Sequence, residues 1–137
     1  MLMTIHEDFA RLYYHLHPQW KENLSHQSVR ILQMIQMTAP ITVKQVAEKF
    51  ALSPNTASEH IKKLEQLGYI EKNRASDDQR VVHVSLTNEG LRAVRSHTEL
   101  DVDRVAHVLR QLSADEQQSI QQAFRLFRET ADDCFSD

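Results

Sequence analysis

Asn55, Thr56 and Lys62 stand within eight residues of one another in the segment Ser53-Pro54-Asn55-Thr56-Ala57-Ser58-Glu59-His60-Ile61-Lys62-Lys63. Their side chains match the edges of base pairs. A carboxamide makes paired hydrogen bonds to adenine, an ammonium donates to guanine, and a threonine methyl touches the methyl of thymine. Ser53, Ser58 and Lys63 interleave with them and suit phosphate oxygens, which fix register rather than read sequence. Some twenty residues on, Asp78-x-Arg80 places a carboxylate where it can hold a guanidinium by a charge-assisted contact and restrict its rotamers. An arginine held that way suits a narrow minor groove, where the negative potential is strongest, and Arg74 adds a phosphate contact across the same turn. Each of these residues taken singly also fits an ordinary solvated surface, and Asp78 with Arg80 also fits a surface ion pair worth about 0–1 kcal/mol. The grouping is what points to duplex DNA.

The elements that must position these side chains are legible from caps and periodicity. Ser53 is a good N-cap, and Pro54 at the first helical position loses no hydrogen bond because that N–H is free anyway. Ala57, Ile61 and Leu64 then share one helical face, with Asn55, Glu59, Lys62 and Gln66 about 140 to 200 degrees away at 100 degrees per residue. Gly68 ends the helix as a left-handed cap. Upstream, Thr42-x-x-Gln45 is a capping box that starts a short helix through Val46, Ala47 and Phe50, so Leu52-Ser53-Pro54 reads as the turn of a helix-turn-helix. A brief strand at 41–43 precedes it. Downstream, 69–74 and 80–86 read as a hairpin, the second strand alternating through Val82, Val84 and Leu86. Residues 75–79 are its tip.

Helices flank this module. Thr4-x-x-Glu7 and Ser113-x-x-Glu116 also fit the capping box. The first helix carries Ile5, Phe9, Leu12, Tyr13 and Leu16 and stops near Pro18. A second covers about 27–37, a long helix runs from Thr87 to about Leu112, and a last one carries Ile120, Phe124, Phe127 and Ala131. The expected class is mainly α with a small β-hairpin wing: a winged helix-turn-helix (38–90) between N-terminal helices (1–37) and C-terminal helices (91–137), within one domain. Two apolar stripes remain once the central module has filled its core, and an intermolecular bundle, a homodimer, uses them economically.

Charge and composition narrow the function classes. The 137-residue chain has a net charge of −3, yet residues 41–95 carry nine Lys/Arg against seven Asp/Glu while the rest carries seven against twelve. The basic excess sits where the duplex contact is expected, and its modest size predicts moderate non-specific binding. No apolar run suits a membrane span and no signal-peptide pattern opens the chain, which implies a cytoplasmic location without a membrane partner. The only glycines are Gly68 and Gly90, so no phosphate-binding glycine loop exists, and no nucleophile stands with a base; an enzyme is not expected. Eight histidines include no pair four apart, so no metal site forms on one helix, although His26 with His97 or His107 from separate helices stays open. Cys134 continues the apolar series of the last helix and is expected as a packing residue, a redox role being the alternative. No cofactor is implied.

Asp78-x-Arg80 followed by Leu86-Thr87, with Leu64-Glu65 and Gly68-Tyr69-Ile70 upstream and helices on both flanks, resembles the MarR family of bacterial transcription regulators. The resemblance covers essentially the whole chain and is most specific over 41–87. It implies a homodimer built from the terminal helices, a winged module from each subunit on a pseudo-palindromic operator, and repression relieved by a ligand or by oxidation. It also implies a cleft for a small aromatic or lipophilic compound, for which Tyr13, Trp20 and Arg30 are the candidates, against core packing for the two aromatics and a surface ion pair for Arg30. Glu59 departs from the pattern, since many relatives carry a basic or small polar residue there; a carboxylate repels phosphate but accepts from cytosine. A winged-helix module that binds only another protein, and a metal- or redox-responsive regulator, remain as alternative readings.

Overall fold

The computed structural model describes residues 1–19, 23–74, 77 and 80–136, in two compact units, Met1–Leu100 and Asp101–Asp137. In the first, α1 (Leu2–Leu16) and α2 (His26–Thr38) lead through β1 (Ile41–Thr42) into α3 (Val43–Lys49) and α4 (Pro54–Gln66), then β2 (Ile70–Arg74), β3 (Val82–Leu86) and α5 (Asn88–Thr98). The strands form one antiparallel sheet in the order β1-β3-β2, with Ile41 opposite Val84 and Ile70 opposite Leu86.

Local chemistry sets most of the boundaries. Ser25 caps α2, its hydroxyl accepting the Ser28 N–H at 3.1 Å. Thr42 and Gln45 close the expected capping box on α3, with Thr42 N–H donating to Gln45 Oε1 at 2.8 Å and Gln45 N–H to Thr42 Oγ1 at 3.1 Å. Apolar positions then assemble the core. Ile31, Leu32 and Ile35 of α2 meet Val46 of α3, Ile61 and Leu64 of α4, Ile70 and Val84 of the sheet and Val94 of α5, nearly all of them fully buried. Burying a side chain of this kind stabilises the fold by about 1.5–3 kcal/mol, so this cluster fixes where α4 and the sheet sit.

Two glycines answer backbone demands. Gly68 follows α4 at φ +82°, the left-handed conformation expected of the cap. Gly90 lies against the Tyr69 backbone so closely that a Cβ would fall 1.9 Å from the Tyr69 carbonyl oxygen. Thr87 closes the same junction. Its hydroxyl donates to the Gly68 carbonyl at 2.5 Å and accepts the Gly90 N–H at 3.0 Å, while its N–H donates to the Tyr69 carbonyl at 3.1 Å.

In the second unit, α6 (Val102–Leu109) and α7 (Ala114–Phe135) are joined by a turn that Gln117 Nε2 closes by donating to the Leu109 and Leu112 carbonyls at 2.8 and 3.2 Å. Ser113 and Glu116 form the expected capping box. The Ser113 N–H, donating to Glu116, holds that carboxyl below the usual carboxylate range.

Three expectations need correction. Thr4 caps nothing: α1 begins at Leu2 with Met1 as its cap, so Thr4 is already inside the helix. The single helix from Thr87 to Leu112 is two, α5 and α6. Ser96, His97 and Thr98 bond back to the Ala93 and Val94 carbonyls, which draws off acceptors at the end of α5, and Asp101 starts a new helix by accepting the Arg104 N–H at 2.9 Å. Cys134, expected to pack, is exposed in the chain.

Candidate nucleic-acid interface

The outward face of α4 is built from its first turn. Ser53 Oγ accepts the Thr56 N–H at 3.1 Å and donates to Thr56 Oγ1 at 2.8 Å, and Pro54 occupies the first turn without leaving a donor unpaired. Ala57, Ile61 and Leu64 are fully buried, which fixes the rotation of the helix about its axis. Asn55, Ser58, Glu59, Lys62, Lys63 and Gln66 are exposed as a result. Ser53 and Thr56 stand apart from this group. The Ser53 hydroxyl is engaged in the cap, and Thr56 is half-buried with its own hydroxyl tied to Ser53.

The turn before α4 is tight. Ala51 takes φ +50° and the Leu52 N–H donates to the Ala47 carbonyl at 2.9 Å, folding the end of α3 back so that α4 can leave at an angle. A non-glycine residue in this conformation costs about 1–2 kcal/mol, offset here by the burial of Val46 and Ala47 on one side and Ala57 on the other.

Beside α4, β2 and β3 extend as the wing, with Arg74 opposite Val82 at its outer end. Between the wing and the N-terminal ends of α3 and α4 lies an open cleft of about 640 Å³, lined by Thr42, Val43, Lys44, Ser58, Lys72, Asn73, Arg74, Arg80, Val81 and Val82. Four cations and, among the described residues, no carboxylate line it. Ser58, Arg74 and Arg80 of the expected contact set are thus brought together here, with Arg74 and Arg80 both exposed. Lys72 Nζ also approaches Glu65 Oε1 at 3.7 Å, which ties the wing to the last turns of α4. Asp78, the proposed holder of Arg80, lies outside the described residues.

Lys44 and Lys72 were not among the residues singled out from the sequence. Lys44 reaches the cleft because β1 pairs with β3, placing Thr42 opposite His83 and the start of α3 beside the wing. The β-branched run Ile41-Thr42-Val43, expected as a brief strand, was the available signal, since a strand there has to pair with the hairpin.

Of the ligand candidates, Tyr13 and Arg30 line a different cleft, about 520 Å³, together with Leu24, His26, Val29, Gln33, His97 and Thr98. Trp20 lies outside the described residues. Tyr13 stacks between Phe9 and His17, at centroid distances of 6.2 and 4.8 Å. The Arg30 guanidinium lies 5.9 Å from the centre of the Phe50 ring, a cation–π contact between the cleft and the residue that ends α3. No group of three or more His, Cys, Asp or Glu side chains is arranged to hold a metal ion among the described residues.

Comparison with known proteins agrees with this architecture. The family model described as MarR family matches residues 24–82, from the end of the α1–α2 connection into β3. The HTH-type transcriptional regulator MgrA of Staphylococcus aureus is 32% identical over 96 residues, which is 70% of this chain, and the chain spans 64% of that relative's length. Among solved structures, Streptococcus pneumoniae FabT in complex with DNA superposes with a TM-score of 0.55 at 22% identity, covering 97% of this chain and 94% of that one. The transcriptional regulator Tm0710 of Thermotoga maritima superposes with a TM-score of 0.63 at 16% identity, covering 98% of this chain and 85% of that one. At these identities the structures share the fold.

Proposed function

Because residues 24–82 match the model described as MarR family, we propose that this chain is a sequence-specific DNA-binding transcription regulator, acting as a homodimeric repressor on a pseudo-palindromic operator. The observation that carries this reading is the polar face of α4 beside a cleft lined by Lys44, Lys72, Arg74 and Arg80, with no carboxylate among its described lining residues. In this reading α4 enters the major groove, where Asn55 and Lys62 meet base edges. Lys63 and Ser58 hold phosphates, Ser53 serves by capping the helix rather than by its own contact, Thr56 meets a thymine methyl, and the wing carries Arg80 to the adjacent minor groove with Asp78 and Arg74 in support. The resemblance to FabT, solved in complex with DNA, supports the same assignment.

Dimerisation has its own support. Leu2, Met3, Ile5, Phe9 and Leu12 of α1 are exposed, and so are Ile120, Phe124, Leu126, Phe127 and Phe135 of α7. Apolar surface on this scale is a common mark of association, and a symmetric pair of modules set about 34–36 Å apart would occupy both half-sites of an operator. A ligand relieves repression in this reading by entering the cleft of Tyr13 and Arg30. Leu24 and Val29 offer it apolar surface, and His26, Arg30 and His97 offer donors, with no carboxylate among the described lining residues. The chemistry suits a small aromatic or lipophilic acid.

The test is a fluorescence-anisotropy titration of the protein on the DNA upstream of its own gene and on scrambled DNA, at two salt concentrations. Tight, sequence-dependent binding at two subunits per site is expected. Equal weak binding to both duplexes would overturn the reading in favour of a module that binds protein.

A further inference from the structure

Glu59 occupies a place on α4 where a carboxylate has no structural use. It is exposed, with Asn55 one turn before it and Lys62 and Lys63 one turn after. At 100 degrees per residue, positions 55, 59 and 62 fall within about 60 degrees of one another, so the three side chains stand in single file along the outer face. The ordinary role of a glutamate four residues before a lysine is an intrahelical ion pair. Among the described residues Glu59 makes none with Lys62 or Lys63, whereas Arg95–Glu99 and Arg128–Asp132 do pair at that spacing, at 3.6 and 2.8 Å. Nor is it needed by the fold, since the buried face of α4 is Ala57, Ile61 and Leu64.

On a surface that meets phosphates, an unpaired carboxylate is repelled everywhere except at a base-edge donor. In the major groove guanine presents two acceptors, thymine an acceptor and a methyl, and adenine an amino donor beside the N7 acceptor; cytosine presents its amino group with no acceptor on its own edge. Resting on the DNA-binding reading above, we propose that Glu59 accepts a hydrogen bond from the N4 amino group of a cytosine and is the residue that excludes other bases at one position of each half-site. The helix rises about 1.5 Å per residue, so Asn55, Glu59 and Lys62 span about 10 Å. That is about three base-pair steps at ~3.4 Å each. The cytosine therefore lies in a short core, flanked by the base that Asn55 reads on one side and the base that Lys62 reads on the other.

The experiment is selection from a random duplex library with the full chain, with Glu59→Ala and with Glu59→Gln, followed by anisotropy on the selected duplex and its four-base permutations. The wild-type chain is expected to select a fixed cytosine in each half-site and to lose roughly 5- to 150-fold in affinity when that base is changed. Glu59→Ala should lose the discrimination at that position alone while binding scrambled duplex more tightly. Glu59→Gln should shift the preference to adenine, because a carboxamide pairs with its amino group and N7. Base preferences unchanged in both variants, with affinity rising uniformly, would overturn the proposal and leave DNA binding intact. A folded wild-type chain that selects no duplex would overturn both readings.

Discussion

Replacing Gly90 with alanine is expected to destabilise the protein, although helix propensity favours the change by about 0.8–1 kcal/mol. The opposing effect comes from Tyr69. An alanine Cβ would sit 1.9 Å from its carbonyl oxygen and 2.8 Å from its carbonyl carbon. Both are backbone atoms and cannot rotate aside, so α5 and the junction after α4 must separate by about 1 Å or more to reach even the shortest tolerated contact. Tyr69 is only 5% exposed, its carbonyl accepts the Thr87 N–H at 3.1 Å, and the preceding Gly68 carbonyl accepts the Thr87 hydroxyl at 2.5 Å. Overpacking costs about 1–3 kcal/mol and each of the two weakened hydrogen bonds about 1 kcal/mol, which leaves a net loss of about 2–4 kcal/mol after the gain in propensity. Urea unfolding followed by circular dichroism, at fixed chain concentration, should show a lower midpoint with an unchanged slope. Gly68→Ala is the companion. It has open space but φ +82°, so it should lose only the ~1–2 kcal/mol of left-handed strain. If Gly90→Ala were as stable as the wild-type chain or more so, close packing at this junction would be refuted and propensity would decide.

Arg80→Ala should raise the dissociation constant for operator about tenfold, ~1.4 kcal/mol, with the dimer and its melting temperature unchanged; unaltered affinity would remove the wing from the mechanism. Asn55→Ala should relax base preference at one position per half-site by about 1–3 kcal/mol, as measured on single-base operator variants, whereas uniform weakening over all sequences would reassign Asn55 to phosphate. Truncation after Leu112 should abolish the dimer in sedimentation, and a truncated chain that remained dimeric would place the interface elsewhere. Because the Ser113 N–H lowers the Glu116 pKa, that cap contributes above the ordinary carboxylate value and is lost as pH falls through the lowered one. Amide signals at the start of α7 should show fraying only in that acid range, and fraying already at neutral pH would contradict the cap.

What could be read from the sequence was mostly what short-range chemistry decides. Ser53-Pro54, Thr42 with Gln45 and Ser113 with Glu116 each fix a helix start with atoms three residues apart, and all three form as expected. The same motif at Thr4 is idle because the helix already runs from Leu2, so the Glu7 N–H that a Thr4 cap would satisfy pairs instead with the carbonyl four residues earlier. The break before Asp101 was hidden for a related reason. The apolar series runs on through Val102 and Val105, while the side-chain bonds from Ser96, His97 and Thr98 compete with the helix without disturbing that series. The outward residues of α4 were legible because Ala57, Ile61 and Leu64 fix its rotation. The cleft beside the wing was not, because Lys44 enters it through pairing between strands some forty residues apart.

The Thr87 clamp makes the end of α4 and the beginning of α5 one mechanical part. Thr87 grips the Gly68 and Tyr69 carbonyls, and Gly90 lets the two backbones touch. In the proposed reading, a force applied to α5 would carry α4 with it as a lever carries its tip, without re-aiming Asn55, Glu59 or Lys62 relative to the wing. In the DNA-binding dimer proposed above, anything that displaces α5 would retune which gap between half-sites is bridged and leave untouched the letters each half prefers. Spacing and spelling would then evolve separately: substitutions along α5 would alter the response to an effector, and substitutions on the outer face of α4 would alter the address on the genome.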